Sequence, residues 1–359
     1  MNKNNIKYVG IDLGDRTSMI HILDEAGEFF EETRLPTTAP ALKMKFSNQP
    51  PLHIAMEVGS QSRWVSRTLS EMGHDVIVAD ARKLRLIYEN PRKSDSVDAE
   101  YLARLVRLDP KLLSPIKHRS ETSQQDLAIL RSRDILVRAR TKLINHVRGI
   151  LKSFGVRLPS CSTNNFAKRA KPELLDSLRP ALEGVLEVIQ DLTLQIRAYD
   201  QEIERLCQEK YPETESMRQI KGVGPLTSLA FILTLEDPTR FKVSREVGPY
   251  LGLVPRRSQS GDVDNQGRIT KTGDSYLRRL LVGCAHYILG PFGEECNLRE
   301  WGLQLAAGDS SRAKNRAAVA VARKLAILLH KLWVSDQDDH PFYPKLRLDP
   351  MIEEAVLLA

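Results

Sequence analysis

Four carboxylates stand where chemistry can use them. Asp12 ends the apolar run YVGI, and Glu57 ends HIAM. An ionised side chain at the end of a buried strand is costly unless it is paired or bound. Asp95 and Asp98 sit three residues apart in KSDSVDAEYLARL, a spacing that puts both on one face of a helix. Each acid taken singly has a plain structural explanation. Strand-end acids are commonly caps or ion-pair members, and acids favour the first turn of a helix. Taken together, four oxygen donors without histidine or cysteine make a hard site, suited to Mg²⁺ or Mn²⁺ rather than zinc. Two such ions about 4 Å apart can activate and stabilise the oxygens of an in-line phosphoryl displacement. Asp24, Asp80 and Asp109 also follow apolar stretches, but they lack the helix partner and read as turn residues.

Two further stretches carry possible chemistry. In GLVPRRSQSGDVDNQGRITK, read as a flexible loop, Ser258 and Ser260 lie near Arg256, Arg257, Arg268 and Lys271. A serine attacks phosphate only when its proton is removed and the phosphate charge is balanced. Arginines can do the second. Spacing alone does not single out either serine. IKGVGPLT (220–227) reads as a helix–hairpin–helix type turn, in which Gly222 and Gly224 leave backbone N–H groups free for a phosphate. A plain helix–helix turn would give the same pattern.

The elements that must position these groups can be read from periodicity. IKYVGIDLG, TSMIHILD and FFEETRL are three short strands joined as an antiparallel meander. PLHIAMEVGS gives a fourth strand, QSRWVSRTLSEMG a helix, HDVIVAD a fifth strand and ARKLRLIYE a short helix. Strands and helices in this succession fit a mixed sheet with helices on its faces. Residues 124–155 read as one long helix, with Ile129, Leu136, Leu143 and Ile150 every seventh position. Residues 156–179 look like a polar connection. Leu182, Val185, Ile189, Leu192, Ile196, Tyr199, Ile203 and Leu206 then step 3-4-3-4-3-4-3, a coiled-coil seam. Its partner is the basic helix folded back or the same helix of a second subunit. Helices at Ser275–Leu289 and 310–333 close the pattern. The expected domains are 1–120, 121–212 and 213–335, followed by a loosely held tail over 336–359.

Charge is unevenly distributed. The 359 residues carry a net +7, yet residues 111–157 alone carry eleven Lys/Arg against three acids, or +8. Residues 240–279 carry nine against four, or +5. Such faces suit a polyanion. A helix face built from Arg131, Arg133, Arg138, Arg140, Lys142, Arg148 and Lys152 is a candidate for phosphate contacts, although a solvated face is the ordinary reading. Cys161, Cys207, Cys284 and Cys296 form no CxxC pair, and with eight scattered histidines they give no zinc spacing. Free thiols in a reducing cytoplasm are expected, with no signal peptide and no apolar run long enough to span a bilayer.

GIDLG, AMEVGS, KSDSVDAEYLARL, GVGPLTSLAFI, YLGLVPRRSQSG and GRITKTGDSYLRRLLVGCA occur in this order over residues 6–333. The set resembles the DEDD-type insertion-sequence transposases, the bridge-RNA-guided recombinases. That resemblance implies an amino-terminal RuvC-like domain of α/β ribonuclease H fold, an α-helical coiled-coil middle and a mainly α carboxy-terminal transposase domain. It implies that Asp12, Glu57, Asp95 and Asp98 are the DEDD set holding Mg²⁺ or Mn²⁺. Ser260, five residues after Pro255, matches the nucleophilic serine, and Ser258 does not. Asp15 and Arg16 follow the glycine of the first motif, where the family more usually has a lysine.

The implied mechanism is attack by Ser260 on a DNA phosphate, a phosphoserine link and strand exchange. The implied partners are double-stranded DNA, as donor ends and target, and a structured guide RNA that supplies target sequence by pairing. A homo-oligomer is expected, at least a dimer with a tetramer favoured; whether metal site and serine meet across a subunit boundary stays open. A non-catalytic RNA-binding scaffold would leave the four carboxylates unexplained, and two sharper rivals remain open. One is a metal-dependent junction-resolving endonuclease that attacks with water. The other is an actin-like or sugar-kinase-like ATPase, since GIDLG after a strand also begins that fold. Asp15 would repel a phosphate there.

Overall fold

The computed structural model describes residues 6–84, 94–260, 263–307 and 310–337. Most of the short helix expected after the fifth strand, and nearly all of the expected tail, lie outside the described residues. The chain divides into two compact units, Met1–Arg119 and Ser120–Ala359.

The amino-terminal unit is a six-stranded mixed sheet. Its strands are β1 (Ile6–Asp12), β2 (Thr17–Asp24), β3 (Phe29–Pro36), β4 (His53–Glu57), β5 (Asp75–Ala79) and β6 (Pro115–Ile116), in the order β3-β2-β1-β4-β5-β6. The β1–β2–β3 meander is antiparallel, while β4 runs parallel to β1 and β5 parallel to β4. Side chains alternate across a strand, so each strand feeds two cores. Val9, Ile11, Ile54 and Met56 fill one face with Leu42 and Phe46 of α1 (Ala39–Phe46) and Val65 and Leu69 of α2 (Ser62–Glu71). The strand pattern had assigned no residues to α1. Tyr8, Ala55 and Ile77 fill the other face, against Leu102, Leu105 and Val106 of α3 (Asp95–Leu108). Ser94 caps α3, its side chain accepting from the Val97 N–H, as an N-terminal serine does.

The second unit is built on two long helices, α4 (Glu121–Ser153) and α6 (Arg179–Glu209). Polar pairs between them run in reverse order: Asp126 with Lys210, Arg133 with Asp200, and Arg140 with Thr193. The helices are therefore antiparallel neighbours. Leu182, Ile189, Ile196, Ile203 and Leu206 of the predicted seam are buried, whereas Val185, Leu192 and Tyr199 are only partly so. Within the chain the seam thus packs on the basic helix. The connection between them is more structured than its polar sequence indicates, and includes the short helix α5 (Phe166–Ala170), anchored by buried Phe166.

The remaining helices are α7 (Thr214–Arg218), α8 (Pro225–Leu235), α9 (Val247–Tyr250), α10 (Ser275–Leu289), α11 (Asn297–Ala306) and α12 (Ser311–Gln337). They enclose a third core around Phe231 and Trp333, whose rings meet edge-on at 6.4 Å. Burial of one such aromatic side chain stabilises by roughly 1.5–3 kcal/mol. Residues 255–269 correct an expectation. The stretch read as a flexible loop is a β-hairpin of β7 (Pro255–Ser260) and β8 (Val263–Ile269). Its strands are polar on both faces, so no alternation marked them. The four cysteines are free thiols, and no helix among the described residues is long and apolar enough to cross a membrane.

Candidate active site

Strand register brings two of the four carboxylates together. Ile11 pairs with Met56 between parallel β1 and β4, so Asp12 and Glu57 end adjacent strands on the next rung. Both carry the parity of Gly10 and Ala55, the face that α3 covers. Gly10 makes that cover close. A Cβ there would lie 1.9 Å from the Ala99 carbonyl oxygen and 2.6 Å from the Ala103 nitrogen, so only glycine lets α3 sit directly on β1. Ala99 follows Asp98, which is itself buried at 8% exposure. The sheet thus presents Asp12 and Glu57 to the face of the helix that carries Asp98.

Asp95 is held differently. It begins α3 and accepts from Arg34 Nη2 at 3.2 Å, with both side chains more than half exposed. Arg34 lies on the same rung as Asp12, reached through Met19 of β2. Two rungs away, Ser96 Oγ donates to Glu32 at 2.5 Å, and Glu32 also meets His21. The first turn of α3 is therefore latched to β3 at two points, with Asp95 drawn toward the sheet edge. Among the described residues no three His, Cys, Asp or Glu side chains gather closely enough to hold a metal ion. The donor set of Asp12, Glu57 and Asp98 nevertheless fits a hard divalent cation in kind. Asp95 is instead engaged by Arg34.

The loop after Glu57 has its own support. Ser62 Oγ donates to the Gly59 carbonyl at 2.8 Å, accepts from the Gly59 N–H at 3.0 Å and meets His118 Nε2 at 3.1 Å. Burial pushes the His118 pKa down, and Arg63 and Arg119 push it the same way. Both influences favour the neutral ring. Sequence reading missed Arg34, Gly10, Ser62 and His118. Only Gly10, an isolated glycine inside a strand, carried a local signal.

Ser260 is the last residue of β7 and pairs in register with Val263. Every residue of β7 is exposed. Arg257 reaches across the hairpin to Asp264 through two contacts of 2.8 and 2.6 Å, and that carboxylate raises its pKa. Arg256 and Arg268 are exposed, as is Lys271 in a left-handed conformation at φ +56°. At the glycine turn, Gly222 has φ +95°, and a Cβ there would meet the Tyr287 ring at 2.7 Å. The left-handed backbone and the adjoining ring together favour glycine here. Gly224 caps α8.

The basic face needs a correction. Arg140 is not on it: the side chain is 6% exposed and donates to Asn164, Thr193 and Thr163. The α4–α6 interface takes it in. Arg131 pairs with Asp274, Arg133 with Asp200 and Arg138 with Asp134, while Arg148 lies over the Phe166 ring. Lys142 and Lys152 are exposed.

Comparison with known proteins gives two family matches. A DEDD-type transposase family of the IS110 group matches residues 9–155, and the family described as Transposase IS116/IS110/IS902 matches residues 214–292. A transposase for insertion sequence element IS1328 from Yersinia enterocolitica is 30% identical over 328 residues, covering 90% of this chain and 95% of that protein. A probable family 20 transposase from Pseudomonas aeruginosa is 29% identical over 345 residues, covering 91% and 97%. A transposase for insertion sequence element IS1111A from Coxiella burnetii is 28% identical over 343 residues, covering 91% and 89%. The first match implies a ribonuclease H-like fold for the amino-terminal unit, in agreement with its mixed sheet and flanking helices.

Proposed function

The chain belongs to the DEDD-type insertion-sequence transposases of the IS116/IS110/IS902 family, enzymes that act on DNA by phosphoryl transfer, and we propose that it works through Asp12, Glu57, Asp95, Asp98 and Ser260. The observation that carries this reading is the shared rung of Asp12 and Glu57 beneath the helix that bears Asp98. A divalent metal ion, typical of DEDD-type transposases and here Mg²⁺ or Mn²⁺, would supply a Lewis acid at the scissile phosphate when held by these carboxylates.

The rest of the chemistry belongs to the chain. Ser260 Oγ attacks the phosphorus of a DNA phosphodiester. Its proton leaves to a base or water, a serine–phosphorus ester bond forms, and the bond to the departing sugar oxygen breaks. That oxygen takes up a proton. A sugar hydroxyl of the exchanged strand then reverses the step, returning the serine and forming a new DNA phosphodiester. The phosphate ester count is unchanged throughout, so no ATP is needed. Exposed Arg256 and Arg268 balance the phosphate charge. A structured guide RNA pairs with target DNA, and Lys142, Lys152 and their neighbours grip its phosphates. The working form is a homo-oligomer, at least a dimer.

Trapping tests the nucleophile. A nicked insertion-sequence end incubated with protein and Mg²⁺ should leave a protein–DNA adduct that survives denaturation and maps by mass spectrometry to Ser260. Ser260→Ala should abolish it and Ser258→Ala should not. Cleavage without an adduct would replace serine attack by water attack, as in a junction-resolving endonuclease.

A further inference from the structure

Beside buried Arg140 the second unit holds a cavity of about 580 Å³, walled by the connection around α5 and by the outward side of α6. Its volume is within the roughly 300–1,000 Å³ of small-molecule sites. Asn164 and Thr193 line it and are also the groups to which Arg140 Nη1 donates, at 2.9 and 3.2 Å. The guanidinium therefore sits directly behind the cavity wall. Its hydrogen-bond partners are neutral oxygens, among the described residues no carboxylate lies within ion-pair distance although the Asp200 charge acts on it from farther off, and its buried Nε has no hydrogen-bond partner. A buried cation with neutral partners is costly, and an anion brought close would offset that cost.

The wall repeats the sign. Lys168, Lys171, Arg179 and Arg197 face Glu183 and Glu187, an excess of two positive charges before Arg140 is counted. Glu183 is engaged by Lys171 at 3.0 Å and Arg179 by Asp176 at 2.9 Å, which leaves Lys168 and Arg197 as the lining cations with no carboxylate contact among the described residues. Asn164 spends its Oδ1 on Arg140 and keeps its amide N–H donors, and Gln190 adds a second amide. Leu186 and Leu194 supply apolar wall. Cations for a phosphate, amides for the edge of a base and an apolar surface for its face are the requirements of one ligand class.

We propose that this cavity binds a single nucleotide through its phosphate, with Lys168, Arg197 and the buried Arg140 charge holding the anion. The nucleotide is either a free molecule or one unit of a bound nucleic-acid strand. The site is independent of the carboxylates and of Ser260.

Equilibrium dialysis of the full chain against uridine 5′-monophosphate, uridine and a single-stranded RNA hexamer tests it. The monophosphate should bind saturably and at least tenfold more tightly than uridine. Lys168→Glu with Arg197→Glu, both exposed, should weaken it at least tenfold without moving the unfolding midpoint. Gln190→Trp, which fills the cavity at unchanged charge, should weaken it as well. Equal binding of uridine and its monophosphate, or full binding by either variant, would overturn the proposal. Hexamer binding that the monophosphate competes away would identify a strand nucleotide as the occupant, and saturable monophosphate binding without such competition would identify a free one.

Discussion

The carboxylates and Ser260 are supported in opposite ways. Asp12 and Glu57 end strands whose inward residues are fully buried, and α3 is seated on them through a glycine that admits no side chain. Ser260 ends a strand with no buried residue, in a hairpin held by its ladder and the Arg257–Asp264 pair. On the proposed assignment, the contrast separates two design tasks. Ligands for a small cation must be placed by a core that does not yield. A nucleophile that must reach a large polyanion belongs on an accessible element whose final order comes from that partner.

The largest break in this comparison should come from glycine. Gly10→Val forces a side chain into the Ala99 carbonyl, so α3 must lift. Urea unfolding should show a loss of about 3 kcal/mol or more, with strand cleavage abolished. Gly267→Ala in the hairpin meets nothing nearer than the Arg256 oxygen at 3.6 Å. It should stay within about 0.5 kcal/mol of the parent. Metal linkage sharpens the difference next. Mg²⁺ or Mn²⁺ at a hundredfold excess over its dissociation constant should stabilise the parent by about 2.7 kcal/mol in thermal unfolding. Asp12→Asn and Glu57→Gln should lose most of that shift, whereas Ser260→Ala should keep all of it.

A third break concerns the basic helix. Arg140→Met should cost about 1–3 kcal/mol in urea unfolding, because Asn164, Thr163 and Thr193 lose their shared donor. Lys142→Glu with Lys152→Glu should leave stability unchanged, weaken RNA binding and flatten its salt dependence in filter-binding titrations. The smallest effect is acid sensitivity. Burial holds His74 and His330 below the usual histidine pKa of 6.5. His74 Nδ1 accepts from the Leu52 N–H at 3.3 Å, a bond that protonation removes. The unfolded chain therefore takes up protons first, and stability should fall as pH drops below about 6.5. Calorimetry between pH 7.5 and 5.5 should show this in the cores, with His74→Gln flattening the dependence. The hairpin contains no histidine and should contribute nothing to it.

Much of the amino-terminal sheet was legible because apolar runs such as YVGI and HIAM have strand length and end abruptly in an acid. The α3 start was equally plain from Ser94 and the acids after it. The hairpin was not legible, since RRSQS and VDNQGRI bury neither face. Nor was Arg140: charge spacing along α4 cannot tell a solvated arginine from one closed over by α6. Of the 3-4 seam on α6, Val185, Leu192 and Tyr199 are only partly buried, and Leu186, Thr193 and Cys207 share the buried face, because a straight helix drifts away from a strict heptad stripe. The Arg34–Asp95 contact joins residues 61 positions apart, and no local pattern announces it.

The shared rung of β1 and β4 also dictates how this protein tolerates change. Replacing one apolar residue of either strand with another alters packing by a methyl group or two. Inserting or deleting a single residue upstream of Asp12 or Glu57 moves that carboxylate by about 3.3 Å along the strand and turns it to the opposite side of the sheet. Relatives can therefore drift widely in which aliphatic residues they use there, whereas the count of residues from the strand's first ladder pair to its terminal acid is the quantity that inheritance must preserve.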